Sequence, residues 1–250
     1  MSMFKNLTTT GLEQAEDRIG GGGVLETGIY TGKIKVAYAG KSVGGAQSIT
    51  LILDLAGREY RETIYITNKA GENFFLNKSD PTKKVPLPGF TLIDHICLLT
   101  TEEPLSEQDV EEKVVKIYNF DERKEVPTNV PVLVDLIGKE VSVAIVKELV
   151  NKNAKNSSSD YVPTAETREQ NVIDKAFHPE SKLTVVEALN GDEEGAFWDV
   201  WLEKNKGKTK DKRTIRDGAD GAASSGRPVR QPSAPTGEAP APRKNLFGKK

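Results

Sequence analysis

The residues with the most direct catalytic potential are two histidines and one cysteine. His95 lies in an apolar stretch typical of a buried helix, His178 stands beside Pro179, and neither has a nucleophile in a recognisable local motif. Cys97 is the only cysteine, which excludes an internal disulfide, and the three residues together are too few for a structural zinc site. We therefore interpret both histidines as structural and predict no enzyme activity, no catalytic residue, no metal site and no cofactor.

Clustered carboxylates are a second route to chemistry, because a two-metal phosphodiester site needs little more than acids held close together. Four acids on or beside the predicted strands offer the ligands: Asp54, Glu59, Glu62 and Asp135. Scattered acids on solvated strand faces are much commoner than such sites. A metal-dependent nuclease is therefore a minor alternative, which DNA cleavage dependent on Mg²⁺ or Mn²⁺ would reveal.

Basic and aromatic side chains on one strand face offer a third chemistry, the binding of single-stranded nucleic acid. Bases stack on aromatic rings while cations hold the backbone, and each stacked base contributes about 1–3 kcal/mol. Period-two alternation places four such residues on the surface opposite the core: Lys33, Lys35, Arg61 and Tyr65. Further candidates for contact with nucleic acid are Tyr38, Phe75, Tyr118 and Lys139. Any single ring is more commonly core or ordinary surface, so the prediction rests on the shared face.

The composition indicates a chain that is not folded along its whole length. It has 250 residues, of which 36% are hydrophobic and 29% are charged, so it is more polar than a compact enzyme of this size. No apolar run approaches the roughly 18–20 residues needed to span a bilayer, and the first five residues lead into no apolar signal core. We expect no membrane partner, no export and a reducing cytosolic location.

The net charge of −2 is a cancellation between two parts of the chain. Residues 204–250 carry 13 Lys and Arg against 4 Asp and Glu, a net charge of +9, which leaves −11 for the rest. This segment has no periodic apolar face and contains five prolines between residues 228 and 242, so we predict a disordered basic tail. Its predicted phosphate contacts are Lys206, Lys208, Lys210, Lys212, Arg213 and Arg216.

The first half of the chain contains the elements that would position the strand face. A helix at 10–19 and a hinge of four glycines at 20–23 form a separate N-terminal segment, 1–23. Three antiparallel strands follow between residues 28 and 67, and the first is predicted to place Ile34, Val36 and Tyr38 on its core face. Residues 56–58 form a compact hairpin connection between the second and third strands.

The second half is predicted to begin with a helical insertion at about 90–125. Its first helix spans 90–100, and its second begins at Ser106 with four residues inward: Val110, Val114, Ile117 and Tyr118. Strands return at 133–137 and 141–146, an exposed loop covers 151–160, and a last strand covers 168–177. A terminal helix then presents Phe197, Trp198, Trp201 and Leu202 on one side.

This arrangement resembles the replicative single-stranded DNA-binding proteins of tailed bacteriophages, which are built on an oligonucleotide-binding (OB) barrel. The resemblance covers roughly residues 24–205 and is carried by the three strands, the helical insertion and the segments 136–143, 167–179, 184–187 and 197–208. It implies a mainly β fold with helical insertions: a five-stranded antiparallel OB barrel over residues 24–203, followed by the disordered C-terminal tail.

The resemblance also implies a function. A protein of this family coats single-stranded DNA without sequence specificity during replication, recombination or repair in the cytoplasm of the bacterial host, and its tail contacts replication or recombination proteins. Family tails are usually acidic, whereas this one is basic around Phe247. We therefore expect the tail to bind DNA phosphates directly, adding some affinity for duplex DNA, or to fold against the acidic body.

One alternative function remains open at this point. The protein would be a non-enzymatic adaptor or assembly protein whose body binds protein and whose tail alone touches nucleic acid. Alanine substitutions at Arg61 and Tyr65 distinguish the two, because only the first function requires these side chains for binding by the body.

Overall fold

The computed structural model describes residues 23–119, 122–157 and 161–215. The strands are β1 (Gly28–Lys41), β2 (Gln47–Leu55), β3 (Arg58–Tyr65), β4 (Phe74–Leu76), β5 (Lys84–Pro86), β6 (Val110–Asn119), β7 (Lys124–Leu133), β8 (Glu140–Lys155), β9 (Tyr161–Phe177) and β10 (Thr209–Asp211). The helices are α1 (Pro88–Thr101), α2 (Val185–Asn190) and α3 (Ala196–Asn205), with single 3-10 turns at Leu105–Glu107 and Val134–Leu136. The helix predicted at 10–19, most of the glycine hinge and residues 216–250, including Arg216, lie outside the described residues.

Within the described ranges, eight strands form one open sheet and β4 pairs with β5 separately. β1 pairs with β2 along one edge and with β8 and then β7 along the other. β3 follows β2, and β9 follows β8, but β3 and β9 do not pair as strands. The predicted mainly β fold is thus confirmed, whereas a closed barrel is not. No helix in these ranges is long and apolar enough to cross a membrane.

The three predicted strands are confirmed as β1, β2 and β3. The β2–β3 connection is the two-residue turn Ala56-Gly57, with φ angles of 54° and 85°, the double positive φ that matches the twist of a hairpin. Asp54 Oδ1 accepts a hydrogen bond of 2.7 Å from the Gly57 N–H. The local sequence therefore fixes this hairpin.

A β-bulge changes the predicted core face of β1. The register to β2 shifts between Ile34 and Val36, so that Ile34 stays in the main core while Val36 and Tyr38 turn to the opposite side. There Tyr38 packs with Ile52 and Val132 in a second apolar cluster. The prediction for Val36 and Tyr38 was wrong because Lys35 is an extra residue in the ladder, and an extra residue reverses every later side chain. We call this side of β1–β3, which carries Val36, Ile52 and Arg61, the outer face.

Helix α1 packs against β3 and β9 and contributes Ile93, Ile96 and Leu98 to the main core. The predicted helix at 90–100 is confirmed. Its N-terminus approaches β3 so closely that a Cβ on Gly89 would lie 2.1 Å from the carbonyl oxygen of Tyr65. Only glycine permits this approach, which fixes the end of β3 against the helix.

The gap between β3 and β9 is bridged by one carboxylate. Glu62 Oε2 accepts hydrogen bonds from the Tyr60 hydroxyl at 2.7 Å and from the backbone N–H of Ile173 on β9 at 2.8 Å. Tyr60 and Ile173 are both buried. We call this contact the Glu62 bridge; it connects β3 to β9 where no strand ladder does.

The second predicted helix of the insertion is wrong, because residues 110–119 and 124–133 form the β6–β7 hairpin. Valines and isoleucine are β-branched and favour strands when a partner is available. Val115 and Ile117 pack against Tyr38 and Ile52, whereas Val110, Val114 and Tyr118, predicted to point inward, are exposed. The spacing of the apolar residues fitted a helix, but the partner strand β7 decided the structure.

The polar segment predicted as a loop at 151–160 is also partly wrong. β8 continues to Lys155 and pairs with β9 as far as Tyr161. We call the two-stranded part formed by residues 147–155 and 161–171 the β arm. Both of its faces carry polar residues, so the sequence shows no alternation there. The predicted last strand at 168–177 is confirmed and is longer than expected.

The helix predicted around Phe197 is confirmed as α3, and it packs on the sheet through Phe177. The fully buried Phe177 ring lies 5.1 Å from Trp198, edge to face, and 6.4 Å from Phe197. Trp201 Nε1 donates a hydrogen bond of 2.7 Å to Asp174. This cluster holds α3 against the sheet. After α3 the chain continues into β10, which pairs with β8.

Candidate nucleic-acid interface

The outer face of β3 presents a row of cationic, hydroxyl and aromatic side chains. Arg61, Thr63 and Tyr65 point to this side, opposite Ile52, Thr50 and Ser48 of β2. Tyr65 is 53% exposed, and Arg61 makes no ion pair with any residue that the structure describes. On the outer face no acid lies between Arg61 and Tyr65, because Glu62 points to the core side of β3. The strip can therefore accept a base on the ring and a phosphate on the guanidinium.

Two predicted lysines, Lys33 and Lys35, lie at the other end of this face beside acids, and a third, Lys139, lies in a nearby turn. Lys33 Nζ is 3.6 Å from Glu140 and Lys35 Nζ is 2.7 Å from Glu59. The hydrogen bond and charge of Glu59 raise the pKa of Lys35. Lys139 is exposed in the turn whose carbonyl accepts from the Ile34 N–H at 2.9 Å. The register confirms that Lys33, Arg61 and Tyr65 share a face, but Lys33 and Lys35 have nearby acids that compete with phosphate.

The structure does not bring the other predicted aromatic residues to this strip. Tyr38 is only 8% exposed beneath Val115 and Ile117, so its ring is covered. Phe75, 40% exposed, lies on the separate β4–β5 pair. Tyr118 is exposed, but strand alternation in the hairpin places it on the opposite side from Tyr38. Of the four predicted rings, only Tyr65 occupies the exposed outer face.

The β arm carries basic and aromatic residues that the sequence reasoning missed. Lys155 Nζ lies 5.5 Å from the ring centre of Tyr161, which is 67% exposed. Arg168 lines a separate shallow cleft along the arm, together with Lys212, which was already a predicted phosphate contact. Lys152, in contrast, pairs with Glu166 at 3.1 Å. The signal for a strand was weak: residues 161–167 contain four β-branched or aromatic residues, but Pro163 interrupts them.

The start of the predicted disordered tail is part of the fold. β10 pairs in parallel with Lys147–Leu149 of β8, so the predicted disorder from residue 204 is wrong for residues 204–215. Lys210 lies 3.5 Å from Asp174 and Lys212 lies 4.0 Å from Glu148. Arg213 bonds Asp211 through both Nε and Nη2. This stretch therefore folds against acidic residues of the body, one of the two behaviours expected for the tail.

The remaining basic residues here are held by backbone contacts. Lys206 ends α3, with its N–H bonded to the Leu202 carbonyl at 2.9 Å. The Lys208 carbonyl accepts a hydrogen bond of 2.6 Å from the Thr27 hydroxyl. Their positions are consequently fixed on the body.

Asn151 on the β arm anchors the last described residues. Its Oδ1 accepts from the backbone N–H groups of Thr214 at 2.7 Å and Ile215 at 3.0 Å, while its Nδ2 donates to the Ile215 carbonyl at 2.9 Å. We expect Asn151→Ala to release residues 212–215 and to raise their amide hydrogen exchange about tenfold or more, because three hydrogen bonds of about 1 kcal/mol each are lost. Hydrogen exchange with mass spectrometry measures the effect.

The matched control for this prediction is Asn153→Ala, two residues along the same strand. Asn153 is exposed, and its side chain has no hydrogen bond among the described contacts. Exchange at 212–215 should stay unchanged in this variant. Equal exchange in the Asn151→Ala variant and the wild type would contradict an anchoring role.

The four acids considered as ligands of a metal-dependent nuclease do not form one cluster. Asp54 and Glu59 lie on the outer face, Glu62 lies on the core side, and Asp135 accepts a hydrogen bond of 2.8 Å from the Asp109 N–H. Within the described ranges no group of three or more His, Cys, Asp or Glu residues could hold a metal ion. The acids of the nuclease alternative are therefore dispersed over different surfaces.

Of the three residues with nucleophilic or acid–base potential, Cys97 is buried and His178 is partly buried. Burial raises the pKa of the Cys97 thiol, which lies within α1. Burial also lowers the pKa of His178, whose Nδ1 lies 3.1 Å from the Ser181 hydroxyl. Both residues thus have packing or local hydrogen-bonding roles in the structure.

No protein-family model matches the chain, and no curated protein matches it.

Proposed function

We propose that the protein binds single-stranded DNA without sequence specificity, through the outer face of β2 and β3 and the β arm. The observation that carries the proposal is the exposed strip of Arg61, Thr63 and Tyr65, which combines a stacking ring with a cation that has no ion-pair partner among the described residues. Stacking and phosphate contact are the two interactions that sequence-independent binding requires.

The strand order supports an OB-type fold for this proposal. β1, β2 and β3 are followed by α1, and then by β8, which lies beside β1, and β9, which lies beside β8. OB folds are five-stranded, partly open barrels that bind oligonucleotides on the face of their second and third strands and on the loops between strands one and two and strands four and five. In this chain those positions correspond to β2, β3, residues 42–46 and the β arm.

The charge distribution supports a local binding surface within an acidic chain. The body excluding residues 204–250 has a net charge of −11, yet the strip on β3 contains no acid and the arm adds Lys155 and Arg168. Coating of DNA during phage replication, recombination or repair in the host cytoplasm, with replication or recombination proteins as partners, belongs to the same proposal and rests on the family resemblance. Residues 216–250 are the proposed source of additional phosphate contacts, including affinity for duplex DNA.

Titration of the full chain with oligothymidine at two salt concentrations tests the proposal. We expect Tyr65→Ala to weaken binding about tenfold, because one stacked base contributes about 1–3 kcal/mol. Arg61→Ala should reduce the slope of log K against log salt by about 0.7, the value for one phosphate contact on a single strand. Fluorescence quenching or anisotropy measures both effects.

Matched controls separate this face from general surface effects. Tyr118→Ala removes an exposed tyrosine from another face, and Arg58→Ala removes an arginine from the core-side row of β3. Both variants should bind as the wild type does. Circular dichroism verifies the fold of each variant.

Removing residues 216–250 completes the comparison and leaves β10 and its Asn151 anchor in place. The proposal predicts that this shortened chain still binds oligothymidine and remains sensitive to Tyr65→Ala. If binding is lost on truncation and neither outer-face substitution alters the full chain, the adaptor function with a nucleic-acid-binding tail replaces the proposal.

A further inference from the structure

Strand β6 forms the outer edge of the β6–β7 hairpin. β6 has one strand partner, β7, within the described ranges. The exposed side chains on the face of β6 opposite the Tyr38 cluster alternate between apolar and charged residues along most of the strand: Val110, Glu112, Val114, Lys116 and Tyr118. Val114 is 70% exposed and Val110 is 56% exposed. An unpaired strand with exposed valines is a template for pairing with another strand.

The hydrogen-bond alternation shows which backbone groups point to this edge. Val110 lies opposite Leu133, while the Val134 N–H donates to the Asp109 carbonyl at 3.1 Å. This pattern makes Val110 and Leu133 a non-hydrogen-bonded pair, so the even-numbered residues of β6 direct their N–H and C=O groups away from β7. From Val110 to Lys116, the same residues therefore direct their backbone groups to this edge and expose their side chains.

Two charges on this edge have no partner within the hairpin. Glu112 lies opposite Pro131, and Lys116 lies opposite Pro127. Glu111 and Lys113, on the other side of the strand, already pair with each other at 2.8 Å. Glu112 and Lys116 make no ion pair with any described residue.

We propose that two copies of the chain associate by antiparallel pairing of β6 with β6, around a two-fold axis between the two Val114 residues. In this register Glu112 of each copy faces Lys116 of the other, Val114 faces Val114, and Val110 faces Tyr118. Two opposite-charge pairs and an apolar centre stabilise the contact, and the two open sheets become one. A two-fold contact of this kind is self-complementary, as isologous dimers require.

Charge placement selects this register over its neighbours. The smallest shift that keeps the even-numbered residues opposite one another is two residues, and it places Glu112 opposite Val114 or Tyr118, so the charges lose their partners. A further shift brings Glu112 against Glu112 or Lys116 against Lys116, which is repulsive. The prolines of β7 interrupt its other edge, since proline has no N–H to donate, and within the described ranges β7 pairs with β1 at Val132 alone. The association is independent of the proposed function.

Charge reversal tests the pairing in the full chain by sedimentation velocity. We expect the wild type to be a dimer at tens of micromolar, and Glu112→Lys or Lys116→Glu to weaken it about tenfold or more, because each places like charges opposite. An equimolar mixture of the two single variants should dimerise again, as should the double variant. Lys78→Glu, in an exposed loop, is the control for charge change and should remain dimeric.

A cysteine at the two-fold axis gives a second measurement that does not depend on affinity. Directly opposite residues in a hydrogen-bonded pair have Cα atoms about 5.5 Å apart, which a disulfide can span. Val114→Cys should therefore form a covalent dimer on oxidation, visible on a non-reducing gel, because the native Cys97 is buried. Val110→Cys, far from its symmetry mate, should not. A monomeric wild type, a dimer unaffected by the charge reversals, or equal cross-linking at both positions would each overturn the proposal.

Discussion

Phe177→Ala is expected to lower the free energy of unfolding by about 3–5 kcal/mol, the usual cost of removing a fully buried phenylalanine. Phe177 has no exposed surface, and its ring contacts Trp198 and Phe197 of α3. Truncation leaves a cavity between the sheet and the helix that carries the chain into β10. Urea unfolding followed by tryptophan fluorescence measures the loss, since both tryptophans lie in this helix.

The control is Phe75→Ala, a change of the same type at a position that is 40% exposed. It should cost less than about 1 kcal/mol, because surface substitutions seldom cost more. A loss for Phe177→Ala no larger than that of the control would show that α3 is not held to the sheet by this ring.

Glu62→Ala is expected to cost about 2–6 kcal/mol, because it removes the acceptor shared by the Tyr60 hydroxyl and the Ile173 N–H. Each buried donor left without a partner costs about 1–3 kcal/mol. The change also removes the hydrogen bond that joins β3 to β9, so hydrogen exchange should increase at Ile173. Glu59→Ala, an exposed acid on the same strand that pairs with Lys35, should change stability by less than about 1 kcal/mol.

The Glu62 bridge also makes the free energy of unfolding depend on pH. The sign of this dependence follows from the surroundings of the Glu62 carboxyl. Burial raises the pKa of the Glu62 carboxyl above its ordinary value of 4.5, Glu148 adds to the increase, and the two hydrogen bonds oppose it. The native state therefore holds this proton more tightly than the unfolded chain. This tighter proton binding stabilises the native state fully below pH 4.5, and the stabilisation is lost as the pH rises through the native pKa of Glu62.

Glu62→Gln isolates that contribution, since the amide keeps an acceptor but does not titrate. The stability of the wild type relative to this variant should fall as the pH rises from about 4 to 7. Denaturant unfolding at a series of pH values measures the difference. A difference that stays constant, or that rises with pH, would contradict the assignment of a raised pKa to Glu62.

Much of the candidate site could be predicted because it depends on local alternation. Arg61 and Tyr65 share a face in any regular strand, since successive side chains point to opposite sides. The Ala56-Gly57 turn then sets β3 against β2 in the observed register. By contrast, the covering of Tyr38 and the acid partners of Lys33 and Lys35 depend on residues far away in the sequence. Local spacing does not contain this information.

The amino-acid sequence by itself determined the elements whose signals are local: β1–β3 and their hairpin, α1, the strand ending at Phe177, and the apolar side of α3. It did not determine the bulge at Lys35, the β6–β7 hairpin, the Glu62 bridge or the return of residues 204–215 to the body. Each of these depends on a distant partner: β2, β7, Ile173, or Asn151 together with β8. Periodicity describes which side of an element is apolar, but only the tertiary structure decides which other element that side meets.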